Sequence, residues 1–111
     1  MERDKQYLLA IMREVSSLPA ILKGYDEDRF LKSEKTQKAA CMTLLNIGEL
    51  VKNISPELKT KYPAIPWREI AGFRDITAHK YASLNMRLVW KTAKEKIPEL
   101  SKSVKEILEQ D

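Results

Sequence analysis

Histidine and cysteine occur once each in this chain, glycine three times and proline five times. Each scarcity excludes something. The lone Cys41 cannot close an internal disulfide, and no second cysteine or histidine stands at metal-ligand spacing from it, so it reads as a buried thiol. Nothing resembles a glycine-rich loop that cradles phosphates, a Ser-His-Asp arrangement or a zinc motif. The alternating β-branched pattern of strands is missing. No window approaches the roughly 20 consecutive apolar residues of a membrane span. The opening stretch "MERDKQYLLAIMREV" is charged at once and has no uninterrupted apolar core followed by a cleavage site, so it does not read as a secretion signal, and a cytoplasmic protein is expected.

Over 111 residues, 43% are hydrophobic and 32% charged, the balance of a globular chain. The length fits one domain spanning residues 1–111, at the small end for burying a core, where a partner subunit would help. A net charge of +4 favours polyanionic partners without deciding among them.

Helical periodicity dominates. Leu8, Ile11, Met12, Val15, Leu18 and Leu22 recur at three- and four-residue steps and predict a helix from about Glu2 to Lys23, kinked or loosened at Pro19. After a turn in "KGYDEDRF", Ala40, Leu44, Ile47, Val51 and Ile54 repeat the spacing, with the small residues Cys41 and Gly48 beside them permitting close helix approach; this second helix should end near Asn53. Ser55 can cap a single turn that has Pro56 at its first position, and the prolines of "YPAIPW" then end it. Trp67 opens a third main helix. Asn85 is a plausible N-cap for "MRLVWKTAKEK", and Pro98 fits the first turn of a last helix striped by Leu100, Val104, Ile107 and Leu108. The short connections imply an all-α, up-and-down bundle of about four long helices with short extra turns.

The third helix carries the anomaly. On a wheel of roughly 100° per residue, Trp67, Ile70, Ala71, Phe73, Thr77, Ala78 and Tyr81 share one broad face, and Arg74 points into the middle of it. A guanidinium there asks for a carboxylate, a phosphate or an opening to solvent. Asp75 and His79 are four residues apart, so the aspartate can accept a proton from the imidazole and fix its tautomer. A position near the helix C-terminus would favour an imidazolium, suited to acid catalysis near neutral pH. Tyr81 returns to within about 20° of Arg74 on the wheel. A plainer reading stands beside this one: Arg74 in a salt bridge to Glu49 or another acid, Asp75 and His79 a surface pair, Tyr81 a core residue. Trp67 and Trp90 read as core or interface aromatics and not as base-stacking platforms.

The stretch "LLNIGELVKNISPELKTKYPAIPWREIAGFRDITAHKY" together with "VWKTAKEKIPEL" resembles HepT-like proteins of the HEPN superfamily, the toxin half of HEPN and minimal nucleotidyltransferase gene pairs, over nearly the whole chain. Their signature of arginine, four residues, histidine, one residue and tyrosine maps onto Arg74, His79 and Tyr81, with Asp75 where many relatives have asparagine and Leu50 where alanine is frequent. The resemblance implies a metal-independent endoribonuclease without a cofactor, active as a homodimer whose two motif helices face each other. Arg74, His79 and Asp75 would form the catalytic set acting on RNA, with tRNA one candidate. Tyr81 would be the residue to which a cognate nucleotidyltransferase antitoxin attaches nucleotide monophosphate. Two other functions fit the same residues: a non-catalytic helical module that binds a nucleotide or docks the nucleotidyltransferase, and a purely structural helical dimer.

Overall fold

The computed structural model describes residues 2–75 and 84–110, and among them every regular element is helical. Helix α1 runs Glu2–Leu22 with Pro19 inside it. Helix α3, Glu34–Lys52, starts at the N-cap Ser33 and closes on Asn53, the end that the periodicity predicts. The stripes of both are the core: Leu8, Ile11, Leu44, Ile47 and Val51 are at most 1% exposed. The two helices pack against each other more extensively than any other pair. Their direction follows from two cross-links. Asp4 meets Ser55, just beyond the end of α3, while Glu14 accepts from Asn46 Nδ2 at 3.2 Å, so the helices are antiparallel.

The turn expected in "KGYDEDRF" holds more structure than that. Gly24 makes the turn with a φ of 81°, a backbone region glycine enters without strain. A short helix α2, Glu27–Leu31, follows at once. Asp26 caps it by accepting from the Arg29 N–H at 2.8 Å. Its purpose in the packing is Phe30, fully buried, whose ring centroid lies 5.2 Å from that of Trp90. Five residues are too few to show a periodic stripe, which is why only the cap advertises this helix.

Helix α4, Pro56–Lys61, is the single turn foreseen, with the Ser55 hydroxyl accepting from the Leu58 N–H. Of the third main helix, the described part is α5, Trp67–Ala71, which passes into a 3-10 turn, Gly72–Asp75; the rest of it lies outside the described residues. The final stretch is one unbroken helical run: α6, Met86–Lys91, capped by Asn85; a π turn, Thr92–Lys96; and α7, Ile97–Glu109. Two helices were expected here, divided near Pro98. The chain instead stays helical because the wider π turn, in which the Ile97 N–H reaches Thr92 O, lies where the Pro98 ring would otherwise strike the carbonyl of residue 94. The described residues thus hold three long helical runs, consistent with a helical bundle.

The N-terminal end of α1 is held by a buried carboxylate. Asp4 is 5% exposed; its Oδ1 accepts from the Ser55 N–H at 2.9 Å and its Oδ2 from the Ser55 hydroxyl at 2.6 Å. Ser55 is in turn the cap of α4, so one side chain ties α1, the end of α3 and α4 together. Removing the acceptor leaves two polar groups without their partner, and Asp4→Ala should destabilise by about 1–3 kcal/mol, lowering the melting midpoint by roughly 4–12 °C. Thermal unfolding followed by circular dichroism checks this, and a midpoint unchanged within a degree would deny the clamp any stabilising role.

Candidate active site

The backbone that carries Arg74 is fixed from Trp67 onward. The segment "YPAIPW" folds into a tight turn, with the Ile65 N–H donating to Tyr62 O at 3.3 Å and the Trp67 N–H to Ile65 O at 2.8 Å, and Trp67 closes it: the ring is 7% exposed and its Nε1–H donates to Tyr62 O at 2.9 Å. Ile70 follows into the core at 5% exposure, and Phe73 packs against it from the 3-10 turn. Lys96 of the π turn pairs with Glu69 on the outer side of α5 at 3.2 Å. The turn itself lies on α3. Its contact there is Gly48, where a Cβ would fall 2.5 Å from the Arg74 backbone nitrogen.

Arg74 and Asp75 are the two sequence-predicted site residues that fall on described structure, and the turn brings them together. Arg74 Nε stands 3.9 Å from Asp75 Oδ1, with the two side chains 39% and 65% exposed. Of the partners that an arginine on an apolar stripe asks for, the structure supplies a carboxylate and an opening to solvent. The α-helix stops at Ala71, and each 3-10 residue turns the chain by roughly 120° instead of 100°, which swings Arg74 from the stripe of Trp67 and Ile70 toward solvent. Among the described residues its ion-pair partner is Asp75, not Glu49. An exposed pair at this distance contributes little to stability, roughly 0–1 kcal/mol, and leaves the guanidinium available to an anion. His79 and Tyr81, along with Thr77 and Ala78, lie outside the described residues.

Elsewhere the aromatic expectations hold. Trp67 is core, and Trp90 packs on Phe30 with the Lys94 ammonium 5.3 Å from its ring centroid. Among the described residues no three His, Cys, Asp or Glu side chains converge so as to hold a metal ion, and no helix is long and apolar enough to cross a membrane. The residue that sequence reasoning overlooked is Asp4. Its signal was present, because it stands four residues before Leu8 on the buried stripe of α1, where an acid needs a reason to be.

The family described as "Ribonuclease HepT-like" matches residues 8–107. The chain is 40% identical over 111 residues to "Putative RNase TTE0752" of Caldanaerobacter subterraneus subsp. tengcongensis, an alignment spanning 100% of this chain and 99% of that protein. It is 40% identical over 96 residues to "Probable ribonuclease HepT" of Thermococcus cleftensis, covering 86% of this chain and 87% of the other. With "Putative RNase MJ0127" of Methanocaldococcus jannaschii it shares 34% identity over 104 residues, 94% of this chain and 86% of that one. No solved structure matches the chain.

Cys41 can be set apart from any chemistry on physical grounds. It is 3% exposed on the core side of α3, and burial pushes its thiol up to about 11. The thiolate is the reactive form, so the folded protein should resist Ellman's reagent at pH 8 and react at once when unfolded in guanidinium. The neutral thiol favoured by the fold also sets a sign: stability from this group is intact below the ordinary thiol value near 9 and declines as pH rises from there toward 11. Stoichiometric labelling of the native protein at pH 8 would contradict this placement.

Proposed function

The chain belongs to the HepT-like ribonuclease family of the HEPN superfamily, and from that premise we propose that it is a metal-independent RNA endonuclease, the toxin of a type VII toxin–antitoxin pair. The observation that carries the proposal is the family match together with an intact signature, Arg74, His79 and Tyr81 in the family's order and spacing. The half-exposed guanidinium of Arg74 on a turn braced by α3 supports it.

The chemistry is cleavage by the ribose 2′-hydroxyl. Its oxygen bonds to the adjacent phosphorus, the bond to the 5′-oxygen breaks, and the products are a 2′,3′-cyclic phosphate and a free 5′-hydroxyl. One group must take the 2′ proton, one must give a proton to the leaving oxygen, and a cation must face the charge gathering on the phosphorane. Arg74 is the cation. His79 is the proton-transfer group, and Asp75 orients it. A single chain has one histidine, so we place the site at a twofold axis where two copies contribute two histidines and two arginines to one cleft. RNA is the substrate class, met in the cytoplasm, and tRNA is a candidate within it.

Regulation follows from Tyr81. In the proposed pair, the tyrosine oxygen attacks the α-phosphorus of ATP held by the nucleotidyltransferase antitoxin, pyrophosphate leaves and the phenolic proton is lost. An adenylyl group beside Arg74 would occupy the place of an RNA phosphate and repel the backbone.

Purified protein incubated with total RNA in excess EDTA should cleave it, while His79→Ala and Arg74→Ala should each lose about 10²-fold or more of the rate and melt within a few degrees of the wild type. Asp75→Asn should be milder, because an amide oxygen still accepts from the imidazole; a loss as deep as that of His79→Ala would give Asp75 a larger part. Wild-type protein that leaves RNA intact would remove the catalytic reading.

Incubation with the cognate nucleotidyltransferase, ATP and magnesium should add one or more AMP units to Tyr81. The Tyr81→Phe variant should stay active after the same treatment. Intact-mass and peptide mass spectrometry decide this, and an adduct found only on Tyr7, Tyr25 or Tyr62 refutes the assignment.

A further inference from the structure

We infer that Gly48, in the middle of α3, is a positioning residue for Arg74: its missing side chain sets how closely the turn bearing the guanidinium sits on the bundle. The inference rests on the ribonuclease reading for its catalytic meaning and on contact geometry for its substance. Gly48 is buried. A Cβ built on it would meet Arg74 N at 2.5 Å, Phe73 C at 3.0 Å and Phe73 Cβ at 3.0 Å, whereas ordinary contacts of a Cβ begin near 3.4 Å. Two of the three atoms are backbone. No rotamer change can relieve the overlap, so any residue but glycine must push the turn away as a unit. The first atom struck belongs to Arg74 itself.

The required retreat is roughly 1 Å, and a misplacement of that size at a catalytic group can lower a rate about 10²-fold. On the other side the turn is anchored by Trp67 and Ile70 in the core, so it cannot slide along α3 to escape. The other glycine of this region provides the contrast. Gly72 opens the same turn with helical φ and ψ of −64° and −17°, and a Cβ there meets nothing within 4 Å. Of two glycines close to Arg74, then, only buried Gly48 is one where a methyl group would move it; exposed Gly72 has room for one.

The test compares Gly48→Ala and Gly72→Ala in full-length protein, using a transcript that the wild type cleaves without metal. Gly48→Ala should lower kcat about 10²-fold with KM changed less than about threefold, and the ¹⁵N–¹H signals of Arg74 and Asp75 should shift. Gly72→Ala should match the wild type in rate. In the double variant Gly48→Ala/Arg74→Ala the two losses should not multiply, because a displaced arginine and an absent one remove the same interaction. A Gly48→Ala protein that folds poorly is assayed beside the wild type in trimethylamine N-oxide, which favours the compact state without touching the turn. Unchanged kcat in folded Gly48→Ala, or losses that multiply with those of Arg74→Ala, overturns the inference. If the wild type cleaves nothing, the ribonuclease reading fails instead, while unshifted Arg74 and Asp75 signals in Gly48→Ala would still overturn the placement.

Discussion

The antiparallel contact between α1 and α3 bears the rest of the molecule. The most deeply buried side chains of the two helices face each other there, and the remaining elements pack onto the edges of that pair: α5 and the 3-10 turn on α3, α7 along α1. Polar links fix its alignment. Asp4 and Ser55 tie one end, and Glu14 with Asn46 pins the register nearer the middle. Apolar stripes alone would leave two such helices free to slip by a turn, whereas a carboxylate that must reach a particular serine permits one alignment.

The long helices were legible because length lets periodicity accumulate. The stripe from Leu8 to Leu22 and that from Ala40 to Ile54 each span several turns, and caps at Ser55 and Asn85 stand where their residue types suggest. Short elements escaped for the converse reason. Helix α2 exists to bury Phe30 against Trp90, a contact made across 60 residues of chain that no local pattern announces. The continuity of the last run was obscured by Pro98, since a proline reads as a boundary unless a wider turn upstream makes room for its ring.

At the candidate site, residue types were easier to read than their setting. Arg74 and Asp75 could be singled out from spacing and resemblance, and the need of Arg74 for a carboxylate or solvent was legible, whereas the 3-10 geometry that meets it was not. The change from α to 3-10 geometry at Gly72 is a tertiary effect: the chain tightens where it meets the bare backbone of α3. What results is an arginine that is half solvated and firmly based, a combination suited to meeting a phosphate and unsuited to holding up a core.

The π turn at Thr92–Lys96 carries one residue more than an α-helix of the same reach. Helices on either side of such a bulge keep the faces they would have if that residue were taken out, with Val89 before it, Ala93 within it and Leu100, Val104 and Ile107 beyond it all directed inward. The run is accordingly a place where the chain can change length by a single residue without rotating its core stripe, provided position 98 no longer holds proline. Insertions and deletions elsewhere in the long helices have no such slack, because each would turn the downstream stripe by about 100° away from its partners.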